Sequence, residues 1–377
     1  MSTAPRLIVN LSMLGEKPTG LGVYAQHCAD VLFAQPGALA IQTPWHRSQH
    51  PYPEFQRCPD AVAIGAGKLA SLKRLLWLAR LPLRDSDLVY SPTHHGLPWH
   101  RNQVITVHDL ICLKHPGQNR KQYLFFRFVL PLIARRCRAV FTVSHAMRQQ
   151  LIDRWGLQPE AVHVVPNVAP AAKPPAPEGA QGDQPARPYL LAVGAGYPHK
   201  NLHETLAMHQ HWADQHDLHV VSCTGAYRQA IEAQVQALGL QDRVTLHDYI
   251  SRDALDRLYR GCAALVYPST DEGFGIPPLE ALAYGKPVIA SSIAVHQEVL
   301  GESAIFVELG QAASWARAFA QLHSPQLLGE RMAKAPATLA KYRKDTLRDS
   351  LQRALTTLEP GLESVCPPST GNPRSPD

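Results

Sequence analysis

The chain has 377 residues, 45% of them hydrophobic, and carries a formal net charge of +6. That length predicts two domains of ordinary size, each with a real core. No stretch approaches the ~20 uninterrupted apolar residues of a membrane span. RLIVNL at the N-terminus runs straight into a polar turn, which is not a signal-peptide layout. Seven cysteines are scattered with no CxxC pair, as expected of a reduced, cytoplasmic protein rather than a disulfide framework. The positive charge favours an acidic partner or surface, but no nucleic acid partner is expected.

Short apolar runs alternate with helical patterns through most of the chain. RLIVNL, DLVYS, QVITVHD, AVFTVS and VHVVPN read as buried strands of the first half. YLLAVG, LHVVSC, RVTLHDY, AALVYPS and KPVIAS read likewise in the second. Continuous apolar strands with helices between them imply parallel sheets covered on both faces. The expected fold class is therefore α/β, two doubly wound Rossmann-like domains facing across a cleft. Ligands are expected in that cleft, at the carboxyl ends of the strands.

The first domain is expected over 1–168. Gly20-Leu21-Gly22-Val23-Tyr24-Ala25 formally matches a dinucleotide fingerprint, but it does not follow directly on its strand and no acid follows at the required distance. Residues 68–84 and 120–138 interleave Lys and Arg with Leu, Phe and Trp. Both read as helices with two uses open: lying on an anionic bilayer, or packing on the core with a basic edge. Asp85-Ser86-Asp87 matches a metal-binding DxD pattern, but it precedes a strand instead of following one and reads as a polar loop. His94 and His95 are adjacent and should point apart in an extended segment, so no zinc site is expected. With His100 they either line the cleft or face solvent. His108 ends a strand, where cleft residues sit, and a structural role is its alternative. Ser144 reads as either a helix N-cap or a ligand contact.

A Pro, Ala and Gly-rich linker is expected over 169–188, and a second domain over 189–335. A helix over 336–358 is expected to pack back on the first domain, followed by a disordered tail over 359–377. Within the second domain, residues 271–290, DEGFGIPPLEALAYGKPVIA, carry the most chemistry. Glu272 and Glu280 have seven residues between them. Gly273 and Gly275 form a turn, and Pro277-Pro278 can open a helix, because a proline's missing N–H is not needed there. The free N–H groups and helix dipole suit a phosphate or a polyhydroxylated ring. Glu280 is expected in the first helical turn, so that both carboxylates face one ligand; the alternative is a Glu placed only by the helix dipole.

These residues resemble the signature of the retaining glycosyltransferases of family GT4, glycosyl transferases group 1, which have the GT-B fold. Thr19 to Tyr24, Val107 to Leu110, Thr142 to Ser144, Val165 to Val168, Val193-Gly194, Pro198 to Leu202 and Asp248 to Ser251 extend the likeness in the family's order. The resemblance implies a bacterial polysaccharide enzyme of mannosyltransferase type. It would move a hexosyl residue, mannose as first choice, from a nucleotide-diphosphate sugar such as GDP-mannose. The acceptor would be a glycan or polyprenyl-linked glycan, and the enzyme would sit in the cytoplasm, peripheral to the inner face of the plasma membrane. No cofactor and no metal are implied.

By position, the resemblance makes His108, Lys200 and Glu272 the catalytic residues. Glu272 would hold donor-sugar hydroxyls, helped by the backbone of Gly273, Phe274 and Gly275, and Glu280 the ribose hydroxyls. Lys200 would neutralise the diphosphate, with Gly194, His199 and Asn201 beside it. Gly20 and Gly22 would let the first loop approach the phosphates, near Ser144, and the backbone of Tyr249 and Ile250 would border the base. The family commonly has Arg where His199 stands, and many members have another where Ala195 stands. Diphosphate neutralisation would then rest on Lys200 and backbone dipoles. The rival readings are a GT-B-fold epimerase or phosphorylase, and an inactive sugar-nucleotide-binding partner.

Overall fold

The structure is a computed structural model that describes residues 5–16, 20–62, 70–97, 99–174 and 187–360. The chain divides into two units. Unit 1 holds the chain up to Leu113, Asn119–Val168 and the stretch from Lys344 onward; unit 2 holds Lys114–Gln118 and Ala169–Arg343.

Unit 1 is built on β1 (Leu7–Leu11), β2 (Ala38–Gln42), β3 (Glu54–Arg57), β4 (Leu88–Ser91), β5 (Gln103–Thr106), β6 (Ala139–Thr142) and β7 (Val162–Val164). All pair in parallel, in the order β3-β2-β1-β4-β5-β6-β7, with Leu7 in register with both Ala38 and Leu88. Parallel strands covered on both faces must be apolar throughout, and β1, β4, β5 and β6 are buried at every position. One face packs Ile8, Ile41, Val89 and Leu97 together, and Ile105, Phe126, Leu130, Leu151 and Trp155 form a second cluster. The helix Lys344–Leu358 returns to this unit and lies against the helix Gly20–Leu32.

Unit 2 has β8 (Tyr189–Val193), β9 (Asp217–Val221), β10 (Val244–His247), β11 (Ala264–Tyr267), β12 (Val288–Ser291) and β13 (Ile305–Val307). They are again parallel, in the order β10-β9-β8-β11-β12-β13. Trp212 and Trp315 are fully buried in its core among Leu190, Leu218, Val266 and Ile289.

Several elements differ from the sequence-based expectation. β2, β3 and β13 were not expected: they are three to five residues long, and β3 (EFQR) is a polar edge strand. Only Ala70–Leu78 of the 68–84 segment is a described helix. The 120–138 segment is not one regular helix. It runs as Arg120–Leu124, a wider π-type turn Phe125–Val129, and Leu130–Ala134. Pro131 has no N–H to return to the carbonyl four residues back, and the Leu130 N–H bonds instead to Phe125 O, five residues back.

The expected C-terminal helix is two helices, Ala335–Ala340 in unit 2 and Lys344–Leu358 in unit 1. The break is pinned at Tyr342, whose carbonyl accepts from Ala169 N at 2.8 Å. The start of the expected linker is therefore bonded to unit 2, as is Lys173, whose N–H reaches Ala283 O at 2.7 Å. Residues 175–186 of that linker and 361–377 of the tail lie outside the described residues.

Candidate active site

In unit 2 the chain runs outward from β8 to one side of the sheet and returns to β11 on the other. The crevice past the carboxyl ends of these neighbours is the switch point, where open α/β sheets bind ligands. Two loops meet there. From β8, Gly194 takes φ +74°, a left-handed conformation that glycine adopts without Cβ strain, and leads to the short turn Pro198–Lys200. From β11 comes the turn that ends at Gly275, φ +90°, the N-cap of helix Ile276–Ala283. Thr270 N donates to His199 O at 2.8 Å and ties the two loops together.

That tie sets the central contact. Lys200 Nζ lies 2.6 Å from Glu272 Oε1 and donates to Tyr267 Oη at 2.8 Å. Both charged side chains are largely buried, at 16% and 9% exposure. Burial alone would raise the Glu272 pKa, but the Lys200 ammonium and its hydrogen bond outweigh this and hold the carboxyl near 2. Burial alone would lower Lys200; Glu272 and Tyr267 reverse that and raise it. The pair is fully ionised at neutral pH. The ammonium has three donors, two of which are used here.

Glu280 lies in the helix that follows, held by the Tyr259 hydroxyl at 2.8 Å and by Arg252 Nη1 at 3.1 Å. Contrary to expectation it is not in the first helical turn. The helix opens at Ile276, before the two prolines, which places Glu280 fifth. Gly273 and Phe274 lie in the preceding turn, and the buried Phe274 ring meets Tyr342 edge-on at 5.0 Å.

His199 is buried and stacks with Tyr197, and burial with the adjacent Lys200 pushes its pKa down to about 4. The ring is neutral at pH 7, so it brings no positive charge to the site. Asn201 takes φ 54° and bonds Glu204 at 2.7 Å, so its amide supports the loop. Tyr249 is 88% exposed, while Ile250 is half-buried.

The expected residues of the first half lie in unit 1. Gly20 and Gly22 are in the first turn of helix Gly20–Leu32, not in a loop, and Thr19 lies outside the described residues. Tyr24 of that helix meets the His108 ring edge-on at 4.6 Å. His108 is two residues past β5; its Nε2 donates to Pro92 O at 3.1 Å, and burial lowers its pKa to about 4. Ser144 is an N-cap, its hydroxyl accepting from Met147 N at 3.1 Å. His94 and His95 do not point apart: the chain bends after β4 and their rings lie 4.1 Å apart. His100 bonds the Asp87 carbonyl, and Asp87 is itself clamped by Arg6, so the DxD pattern is structural.

Sequence reasoning missed several neighbours of the central pair. Tyr267 was read only as part of an apolar strand. Asp271 is buried beside Glu272, and its Oδ1 accepts from Lys114 at 2.9 Å. His296 is wholly buried; its Nδ1 donates to Ser291 O at 3.0 Å, and its ring stands 5.4 Å from that of Tyr267. A tyrosine ending an apolar strand just before an acidic turn was the one available signal. Among the described residues no group of three or more His, Cys, Asp or Glu is placed to hold a metal.

Comparison with known proteins gives the family and the fold. Residues 179–338 match the family described as glycosyl transferases group 1, and residues 18–172 match glycosyltransferase family 4. The chain is 32% identical over 356 residues to the O-antigen chain mannosyltransferase RfbU of Salmonella typhimurium, covering 91% of this chain and 97% of that protein. Among solved structures it resembles sucrose-phosphate synthase of Thermosynechococcus elongatus (TM-score 0.72, 20% identity, 94% and 98% covered). It also resembles Anabaena HepE in complex with UDP and glucose (TM-score 0.71, 19% identity, 93% and 100% covered). The chain belongs to the group 1, family 4 glycosyltransferases and has their GT-B fold of two Rossmann-like units.

Proposed function

We propose that this glycosyltransferase moves a mannosyl residue from GDP-mannose to a glycan or polyprenyl-linked glycan acceptor, with retention, in surface-polysaccharide assembly. The observation that carries the reading is the buried Lys200–Glu272 pair at the β8/β11 switch point, followed by Glu280 in the next helix. The choice of mannose is supported by the likeness to RfbU, an O-antigen mannosyltransferase, over nearly the whole chain.

The difficult step is departure of a diphosphate whose negative charge grows as the sugar becomes cationic. Lys200 supplies the fixed positive charge, and its contacts to Glu272 and Tyr267 hold it in place without reorganisation. Glu272, ionised, is an acceptor for sugar hydroxyls. Glu280, with two donors already on it, has acceptor capacity left for the ribose diol. With His199 neutral and Ala195 in the other position, Lys200 is the principal cation for the diphosphate, and no metal is required. Unit 1 takes the acceptor.

A membrane-borne acceptor fits the surface of 120–136. Leu124, Phe128, Val129 and Leu132 are 43–60% exposed, while Phe126, Leu130 and Ile133 of the same stretch are buried. Arg120, Lys121, Arg127, Arg135 and Arg136 lie in the same stretch of sequence, which holds no acid. Exposed apolar groups in a stretch rich in cations and free of acids suit the anionic inner face of a plasma membrane. No helix of the described residues is long and apolar enough to cross a membrane. The reading is tested by incubating the protein with a panel of nucleotide sugars and measuring released nucleotide and transferred hexose. Release from UDP-sugars as fast as from GDP-mannose would remove the donor assignment.

A further inference from the structure

Unit 1 carries a cavity of about 570 Å³ whose lining includes Asp85, Arg101, Asn102, Arg136, Arg138 and Glu359. Its place follows from the topology. Asp85, Asn102 and Arg138 stand just before β4, β5 and β6, which are parallel neighbours. The cavity therefore sits at the amino ends of these strands, the opposite end of the sheet from its carboxyl-end crevice. Its floor is fixed by hydrogen bonds. Asn102 Nδ2 donates to Ser86 O at 3.2 Å, and Asn102 Oδ1 accepts from Arg138 Nη1 at 3.1 Å. Arg138 also pairs with Glu359 at 3.0 Å and donates to the Leu358 carbonyl, so the end of helix Lys344–Leu358 closes one wall.

The charges of this cavity do not balance. Arg138 and Glu359 satisfy each other. Arg101 and Arg136 are exposed, and neither guanidinium has an ion pair or hydrogen bond among the described residues. Asp85 is exposed and likewise unpaired among them. Two free guanidinium groups thus share the cavity with one free carboxylate. On a flat surface each would be solvated alone; here one concave space brings both to a single ligand. A carboxylate has oxygens for one guanidinium fork, whereas a phosphate has enough for two. The volume lies within the ~300–1,000 Å³ of small-molecule sites, so it holds a phosphate together with the organic group that it esterifies. The neighbourhood bears on what that group is. The stretch 120–136 ends at this cavity, and the exposed Leu132 precedes Arg136 by four residues, about one helical turn.

We propose that this cavity binds a phosphate ester between Arg101 and Arg136, and that the ester is the headgroup of a lipid in the surface on which 120–136 lies. The rigid wall of Asn102, Arg138 and Glu359 keeps the space open, and the two free arginines supply the charge. Asp85 is the one opposing group, so neutralising it should tighten binding. The phosphate site stands on the cavity itself; its lipid source rests on the membrane-facing reading of 120–136 given above.

The test titrates the full chain with inorganic phosphate, glycerol 3-phosphate and a short-chain phosphatidylglycerol below its micelle concentration. Heats of binding are read without nucleotide sugar, so the result does not depend on transfer. The wild type should bind these probes saturably at one site. Arg101→Gln/Arg136→Gln should weaken binding by about tenfold or more, the scale of hydrogen bonds to a charged group. Its melting temperature should be unchanged, because both side chains are exposed. Arg120→Gln/Arg127→Gln removes the same charge outside the cavity and should bind as the wild type does. Asp85→Asn should bind several-fold tighter. Tighter binding of the short-chain lipid than of the other probes supports the lipid source; equal or weaker binding overturns that source in favour of a soluble phosphate ester. No saturable binding of any probe, or equal weakening in the two double variants, overturns the site. If the wild type bound phosphate saturably yet failed to sediment with phosphatidylglycerol vesicles, the membrane reading would fail and the phosphate site would stand.

Discussion

Lys200 Nζ sits 2.6 Å from Glu272 Oε1 across 72 residues of sequence, with Tyr267 Oη 2.8 Å from the same nitrogen. One end of the pair comes from the loop after β8 and the other from the loop after β11, so the neighbouring strands bring the charges together. Each residue is ionised because the other is present, and neither would keep its charge alone at this burial.

Removing one partner should therefore affect folding and turnover separately. Glu272→Gln and Lys200→Ala are each expected to lower transfer by roughly 10²-fold or more. Each should also lose about 3–5 kcal/mol of stability, since a buried charge is left unpaired. The double variant Glu272→Gln/Lys200→Met should recover part of that stability while remaining inactive. Urea denaturation alongside released-nucleotide assays checks both; full turnover in either single variant would show the assigned roles to be wrong.

Tyr267→Phe removes one acceptor from Lys200 and leaves the ion pair. Transfer should fall by about tenfold, the scale of one hydrogen bond to a charged group, with a small change in melting temperature. An unchanged rate would mean that Tyr267 does not position Lys200.

Acid should destabilise the protein before it reaches the carboxylates. His108 and His199 have folded pKa values of about 4, below an unfolded value near 6.5. The unfolded chain therefore binds more protons between pH 6.5 and 4, and stability rises with pH in that window. It should be complete above about pH 6.5 and fall progressively toward pH 4. Glu272, also depressed, adds its loss only as pH falls from about 4.5 toward 2. Melting temperatures measured from pH 7.5 to 4.5 check this; a flat profile would mean that these rings are not buried in neutral form.

The apolar ridge of 120–136 should bind vesicles. Phe128→Ser/Leu132→Ser is expected to reduce co-sedimentation with anionic lipid vesicles several-fold, and high salt should weaken the wild type's binding. Turnover of a short, water-soluble acceptor should be little changed. Equal sedimentation of variant and wild type would remove the membrane assignment.

The strands of both sheets were legible because parallel strands covered on both faces write themselves as unbroken apolar runs, as in LIVNL and ALVY. β3 and β13 were not, because a four-residue polar edge and a three-residue strand leave too short a pattern. Of the site, Lys200, Glu272 and Glu280 stood out by spacing and resemblance. Tyr267 and His296 did not, since a buried polar residue in an apolar run looks like core until its partner is known, and Asp271 stood in the quoted turn with nothing in the sequence to name Lys114 as its partner. His94 and His95 show the converse failure. Alternation along a strand would separate them, and one bend after β4 brings the two rings together at a tilt instead.

The most direct test is hexosyl transfer itself, measured with GDP-mannose and a panel of UDP-, ADP- and other GDP-sugars, in the presence of a chelator. The account predicts transfer of mannose from GDP-mannose with its anomeric configuration retained, undiminished by the chelator and lost in Glu272→Gln. Transfer from another donor in preference, inversion at the anomeric carbon, or a wild-type rate in Glu272→Gln would contradict it.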